Sequence, residues 1–260
     1  MKYSLVICIS AIVFVANAQG ATYVTNFNSF DDQLDVAGQD GWIADDPTWG
    51  NSFIVIAGTK AAALGGYYGD PVTATVGLTH SYGEDLRFTS MSFNFVIVDS
   101  TNDDSVRDTF GVTLRDGSNN LFTVFFSPQV QSLTPDLGPD ARWNLSYKAG
   151  SGATVSAPEY VLEGGYYSLD LQFTPNGPTT DFNLALSGSN TVVWNGNMAV
   201  DPATVATDFG LTWKPTDGAA NAGSNYFVVD NLSVVPEPSA ALLALLGASA
   251  GLVRRRRRAC

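Results

Sequence analysis

Residues 167–173 read Tyr-Ser-Leu-Asp-Leu-Gln-Phe. Apolar Tyr167, Leu169, Leu171 and Phe173 alternate with polar Ser168, Asp170 and Gln172. Successive side chains of a β-strand point to opposite faces, so this period of two predicts a half-buried antiparallel strand. The period recurs upstream, where Phe93, Phe95 and Ile97 alternate with Ser92, Asn94 and Val96, and where Phe110, Val112 and Leu114 alternate with Gly111 and Thr113. It recurs downstream in Phe182, Leu184 and Leu186, and again in Phe209, Leu211 and Trp213. Trp213 therefore falls on a core face.

Further strands are predicted at 21–27, 53–57, 72–78, 121–127, 142–147, 191–194 and 226–234. Turn residues separate them: Asp116-Gly117-Ser118-Asn119, Pro175-Asn176-Gly177-Pro178 and Ser187-Gly188-Ser189-Asn190. No stretch sustains the 3.6-residue period of a helix. A single helical turn is expected at 201–206, with Asp201 as N-cap and Pro202 at the first helical position. About a dozen short strands in one unit, residues 21–235, predict an all-β fold: an antiparallel β-sandwich of the jelly-roll type. The last strand, Tyr226-Phe227-Val228-Val229-Asp230-Asn231-Leu232-Ser233-Val234, resembles the closing strand of concanavalin-like and carbohydrate-binding jelly rolls. The resemblance implies that it pairs near the first strand, here residues 23–27.

Charge sharpens the picture. Six of the 13 Lys and Arg residues, Lys2 and Arg254 to Arg258, lie at the two ends. All 25 Asp and Glu residues lie between positions 31 and 237. The middle of the chain is thus strongly acidic and repels phosphate backbones, which argues against a nucleic-acid partner. The only cysteines are Cys8 and Cys260. The middle can form no disulfide, cysteine-based zinc site or catalytic thiol, so stability there must come from the core.

The ends read as targeting segments. Lys2 provides a positive start, residues 5–15 form an apolar stretch, and Ala16-Asn17-Ala18 is a small-x-small cleavage site, so residues 1–18 are expected to be a cleaved signal peptide. At the other end Pro236-Glu237-Pro238 precedes an apolar run over 240–253, closed by Arg254, Arg255, Arg256, Arg257 and Arg258. Fourteen residues of helix cover about 21 Å, short of the roughly 30 Å hydrocarbon core. Snorkelling arginines and local thinning make up the difference. The arginines are expected to stay cytoplasmic and stop translocation, leaving the preceding domain outside.

This order of parts resembles the PEP-CTERM sorting signal of Gram-negative bacteria. The resemblance covers residues 236–260. It implies cleavage near the Pro-Glu-Pro site by an exosortase, and association with exopolysaccharide production and biofilm formation. Cys260, after the arginines, departs from the pattern.

Candidate chemistry is sparse. His80 is the only histidine, which excludes a multi-histidine metal site; it is expected on a surface or loop. No Gly-x-Ser-x-Gly nucleophile elbow is present. Glycoside hydrolysis needs two carboxyls about 5–10 Å apart, and Glu159 and Glu163, four apart on one strand, would stand too far from each other. Asp99, Asp103, Asp104 and Asp108 cluster in sequence, and Asp230 lies in the final strand; this oxygen-rich set is either a calcium site or a solvated acidic loop. Sugar rings present apolar C–H faces that stack on indole and phenol rings. Trp42 and Trp49, in the Gly/Asp/Pro-rich stretch 38–50, and Tyr67 and Tyr68 are the stacking candidates. Trp143, Tyr166 and Trp194 are further aromatics at loops and strand edges, each open to a core reading.

The reading that results is a non-catalytic exported surface or matrix protein of the cell envelope, processed by an exosortase, with exopolysaccharide as its candidate ligand. Two others stay open: a hydrolase or lyase acting on polysaccharide from a jelly-roll scaffold, and a structural adhesin without a small ligand.

Overall fold

In the computed structural model, residues 23–31, 35–45, 52–56, 60–65, 75–86, 88–99, 107–117, 119–129, 142–189, 191–201, 204, 206–215 and 225–236 are described. They form fifteen strands and no helix. The strands are β1 (Tyr23–Thr25), β2 (Trp42–Ala44), β3 (Ser52–Ile56), β4 (Lys60–Gly65), β5 (Val76–Leu86), β6 (Phe88–Asp99), β7 (Thr109–Asp116), β8 (Asn119–Pro128), β9 (Arg142–Ala149), β10 (Val155–Leu162), β11 (Tyr167–Asn176), β12 (Thr179–Gly188), β13 (Val192–Met198), β14 (Ala206–Lys214) and β15 (Asn225–Pro236). Among the described residues no helix is long and apolar enough to cross a membrane. The sequence-predicted signal peptide and the apolar run of the tail lie outside the described residues.

Two antiparallel sheets face each other. The first runs β13-β12-β11-β6-β15-β4-β3, with β1 also pairing β15; the second runs β10-β9-β8-β7-β14-β5-β2. Every alternation read in the sequence places its apolar set between the sheets. Phe93, Phe95 and Ile97 of β6, Leu169 and Leu171 of β11, Leu184 and Leu186 of β12, and Phe209, Leu211 and Trp213 of β14 are all buried. Phe227 of β15 sits at the junction, with ring centroids 5.4–5.6 Å from Phe95, Phe110 and Phe126. Such ring pairs add about 0.5–1.5 kcal/mol each beyond the area they bury. This aromatic core replaces the disulfides that the domain lacks.

β15 carries the closure. It pairs β6 along its length, β4 through Tyr226–Val229, and β1 through Leu232, Ser233 and Val234. The first-to-last pairing expected from the resemblance is present: Tyr23 faces Val234 and Thr25 faces Leu232. A register shift between Asp230 and Ser233 separates the β4 and β1 segments. Asn231 takes a φ of 51° there, which the short polar side chain of asparagine tolerates better than most.

Some elements differ from the sequence reading. β2 lies inside the stretch 38–50 read as loop. Its entry is Gln39-Asp40-Gly41-Trp42, closed by a 2.9 Å bond from the Trp42 N–H to the Gln39 carbonyl. Positive φ at Asp40 (46°) and Gly41 (81°) makes it the Asp-Gly turn that commonly leads into a strand. β4, an alanine-rich strand of weak propensity, and β10 were not predicted. β5 begins at Val76 and continues to Leu86, past the predicted end at 78. The predicted turn at 201–206 shows one bond, from the Thr204 N–H to the Asp201 carbonyl at 2.8 Å.

A groove on the outer face of the first sheet

The outward residues of β11, β12 and β13 are polar by the same alternation that buries their partners. Register places them in rows: Gln172 beside Asn183 and Asn183 beside Asn195; Thr174 beside Asp181 and Asp181 beside Asn197. Gln172, Thr174, Asp181, Asn183 and Asn195, over the backbone of Phe182 and Gly196, line a groove of about 500 Å³. Gly196 is required below it, because a Cβ would strike the Phe182 ring on the core side.

The side chains are locked to one another. The Asn183 amide donates to Asn195 Oδ1 at 2.6 Å. The Asn197 amide donates to Asp181 Oδ1 at 2.7 Å and to Thr179 Oγ1 at 2.8 Å. The Asn176 amide donates to Asp181 Oδ2 at 2.9 Å. The amides of Asn197 and Asn176 hold the Asp181 carboxyl below its ordinary value, so it is ionised and accepts only. A row of fixed amides plus a carboxylate offers both donors and acceptors in one place. Hydroxyl-rich ligands need that combination, since each hydroxyl donates once and accepts twice. Asp170 is the next outward carboxylate on β11; it pairs Ala185, four residues along the ladder from the Asp181 row. That spacing is about 13 Å, too long for the paired carboxyls of glycoside hydrolysis.

The polar carpet continues beyond the groove. Ser168 donates to Asn94 Oδ1 at 2.5 Å, and Asn94 lies opposite Asp230. Burial pushes the Asp230 carboxyl up, against the opposing bond from the Asn231 N–H. Tyr166, immediately before β11, is 57% exposed.

The residues singled out in the sequence fall elsewhere. Trp42 is 1% exposed, which corrects its reading as a stacking residue. It contacts Phe27 and Phe209, and its indole N–H donates to Tyr23 Oη at 3.1 Å. Trp49, Tyr67 and Tyr68 lie outside the described residues. Trp143 is buried, and Trp194 packs against Tyr147 at 5.3 Å.

His80 is likewise not on a surface or loop. It sits in β5 at 6% exposure, its ring 4.0 Å from that of Tyr23. Its Nε2–H donates to the Asp40 carbonyl at 2.8 Å, so the Asp-Gly turn and the histidine hold each other. Burial also raises the Tyr23 phenol.

Among the described residues, Asp99, Asp108 and Asp230 do not converge. Asp103 and Asp104 lie outside the described residues. Asp108 is fully buried and turned inward: the Trp213 indole donates to its Oδ2 at 2.8 Å and the Trp143 indole to its carbonyl at 2.9 Å. It anchors two core tryptophans. Asp99 pairs Asn225, whereas Asp230 pairs Asn94, five residues along the same two strands, a separation of about 16 Å. Among the described residues no group of three or more His, Cys, Asp and Glu is placed to hold a metal ion.

The sorting-motif residues divide. Pro236 ends β15 opposite Phe88; Glu237, Pro238 and Arg254 to Arg258 lie outside the described residues, as do Ala16 and Ala18. The groove itself was missed in sequence because its residues are ordinary outward polar positions of three strands. The one available signal was the density of asparagine in 176–197, which reads as turn chemistry until register aligns it.

Solved structures share the architecture. The winged bean acidic lectin, solved with methyl-α-D-galactose, superposes with a TM-score of 0.51 at 13% identity, covering 84% of this chain and 100% of that one. Arcelin-5, a lectin-like defence protein from Phaseolus vulgaris, gives 0.49 at 12% identity, with 84% and 98% covered. A lectin from Bauhinia forficata in complex with GalNAc gives 0.48 at 11%, with 84% and 98% covered. The first likeness identifies the fold as the lectin-like jelly roll. No protein-family model and no curated protein matches the chain.

Proposed function

We propose that this chain is an exported, envelope-associated protein that binds polysaccharide without cleaving it, through the groove on β11–β13. The carrying observation is the pre-set pair of rows holding Asn183 and Asn195 in one and Asp181 in the next, locked by 2.6–2.9 Å bonds and facing solvent. Side chains already fixed lose little entropy when a ligand arrives. The winged bean lectin, whose fold this chain shares, was solved with a galactoside, and that supports the reading at the level of scaffold. The 13 Å between Asp170 and Asp181 favours binding over hydrolysis at this groove.

Residues 1–18 act in this proposal as the signal peptide, 21–235 as the binding domain and 236–260 as the sorting tail, cut by an exosortase near Pro236 and Pro238. The end of β15 at Pro236 supports it, because the Pro-Glu-Pro site begins where the last strand of the sandwich stops.

Pull-down of the purified protein with the producing bacterium's own exopolysaccharide tests the binding. Wild type is expected to be retained, and an Asn183→Ala, Asn195→Ala double variant to lose most retention while keeping its unfolding temperature. Equal retention of the two proteins would dismiss the groove. Deleting 236–260 is expected to move the protein from the envelope fraction to the medium; unchanged fractionation would dismiss the tail's role.

A further inference from the structure

The outer face along β11 extends well past the groove, and what it can hold rests on the polysaccharide reading above.

Along β11 the outward residues are Ser168, Asp170, Gln172 and Thr174. Tyr166, two residues before Ser168 and directly before the strand, is exposed. Six residues of strand separate Tyr166 from Gln172, about 20 Å. One end of this span is the amide groove and the other the exposed Tyr166. A single sugar ring spans only part of that distance.

Charge decides the class. None of the residues lining the groove is basic. Asp170 and Asp181 face outward on the same side, and the strongly acidic middle of the chain adds its own field. A polyanion approaching the groove meets the Asp181 carboxylate and, among the described residues that line it, no cation to pair with. Amides, by contrast, bond hydroxyls without any charge on the ligand.

We infer that the outer face of β11 is an extended binding track for an uncharged polysaccharide chain, gripped at the Asn183–Asn195 groove and stacked on Tyr166 at the other end. Because the grip uses amide–hydroxyl bonds and one stacking contact, affinity is insensitive to salt, and it grows with chain length until the ligand reaches Tyr166.

The test uses the full-length protein and three immobilised polymers: a neutral β-glucan, a polyuronate and a deacetylated hexosamine polymer. It adds calorimetry with neutral oligosaccharides from disaccharide to octasaccharide. The expected result is retention on the neutral polymer that survives high salt, none on the polyuronate, and tighter binding of longer oligomers. Tyr166→Ala, at an exposed site, should weaken the longest oligomer roughly two- to tenfold and leave the disaccharide unchanged. Asp181→Lys should gain retention on the polyuronate. Length-independent affinity, retention on the polyuronate by the wild type, or retention on the cationic polymer alone and only at low salt would overturn the track while leaving polysaccharide binding standing. Failure to bind any polymer, or neutral binding untouched by Asn183→Ala and Asn195→Ala together, would overturn the underlying reading as well.

Discussion

His80 shows how a single side chain ties a loop to the core. Burial holds its imidazole below the usual 6.5, opposed by the bond to the Asp40 carbonyl and by the charges of Asp40 and Asp208. The unfolded chain keeps the ordinary value, so below about 6.5 it takes up a proton that the folded protein refuses. The stabilisation is therefore full above that pH and is lost as pH falls toward the depressed folded value. Thermal unfolding followed by circular dichroism should show a melting temperature that declines on acidification from pH 7 to 5. His80→Gln should flatten the decline over that window; an unchanged slope would place the titration elsewhere. Gly41 belongs to the same device, since a Cβ there would sit 3.3 Å from His80 Nε2.

At the scale of the element, β15 is a strand in two halves. Tyr226–Val229 runs between β6 and β4, Leu232–Val234 between β6 and β1. The bulge at Asn231 lets one strand serve both neighbours, and its positive φ sets the sequence requirement. Asn231→Val should cost about 1–2 kcal/mol in urea denaturation, because a Cβ-branched residue is strained in the left-handed region. Asn231→Gly should leave the midpoint nearly unmoved. Equal loss from both would mean that the Asn231 side chain, through its bond to Asp230, matters more than its backbone.

For the molecule as a whole, the two sheets hold together by aromatic contact across one interface. Phe227 touches Phe93 and Phe95 on its own sheet and Phe110 and Phe126 on the other. Phe227→Ala should cost about 3–5 kcal/mol, read as a lowered denaturant midpoint. In a domain with no cysteine to staple it, a loss of that size is a large share of the 5–15 kcal/mol typical of folded proteins. A cost below about 1 kcal/mol would mean that the interface repacks freely.

The strands of this protein were legible because alternation is a local property: Tyr167 to Phe173 states its period within seven residues, and the apolar set must find a core. The all-β sandwich follows from that patterning, whereas the pairing of first strand with last is what the resemblance of the closing strand to concanavalin-like jelly rolls implied. Pairing order did not follow from it. The sequence alone put Trp42 on a loop and His80 at the surface, because neither the Asp40-Gly41 turn nor the shielding by Tyr23 is visible until β2 lies against β5. Register likewise decided the groove: Gln172, Asn183 and Asn195 are far apart in the chain, and only hydrogen bonding between three strands brings them side by side.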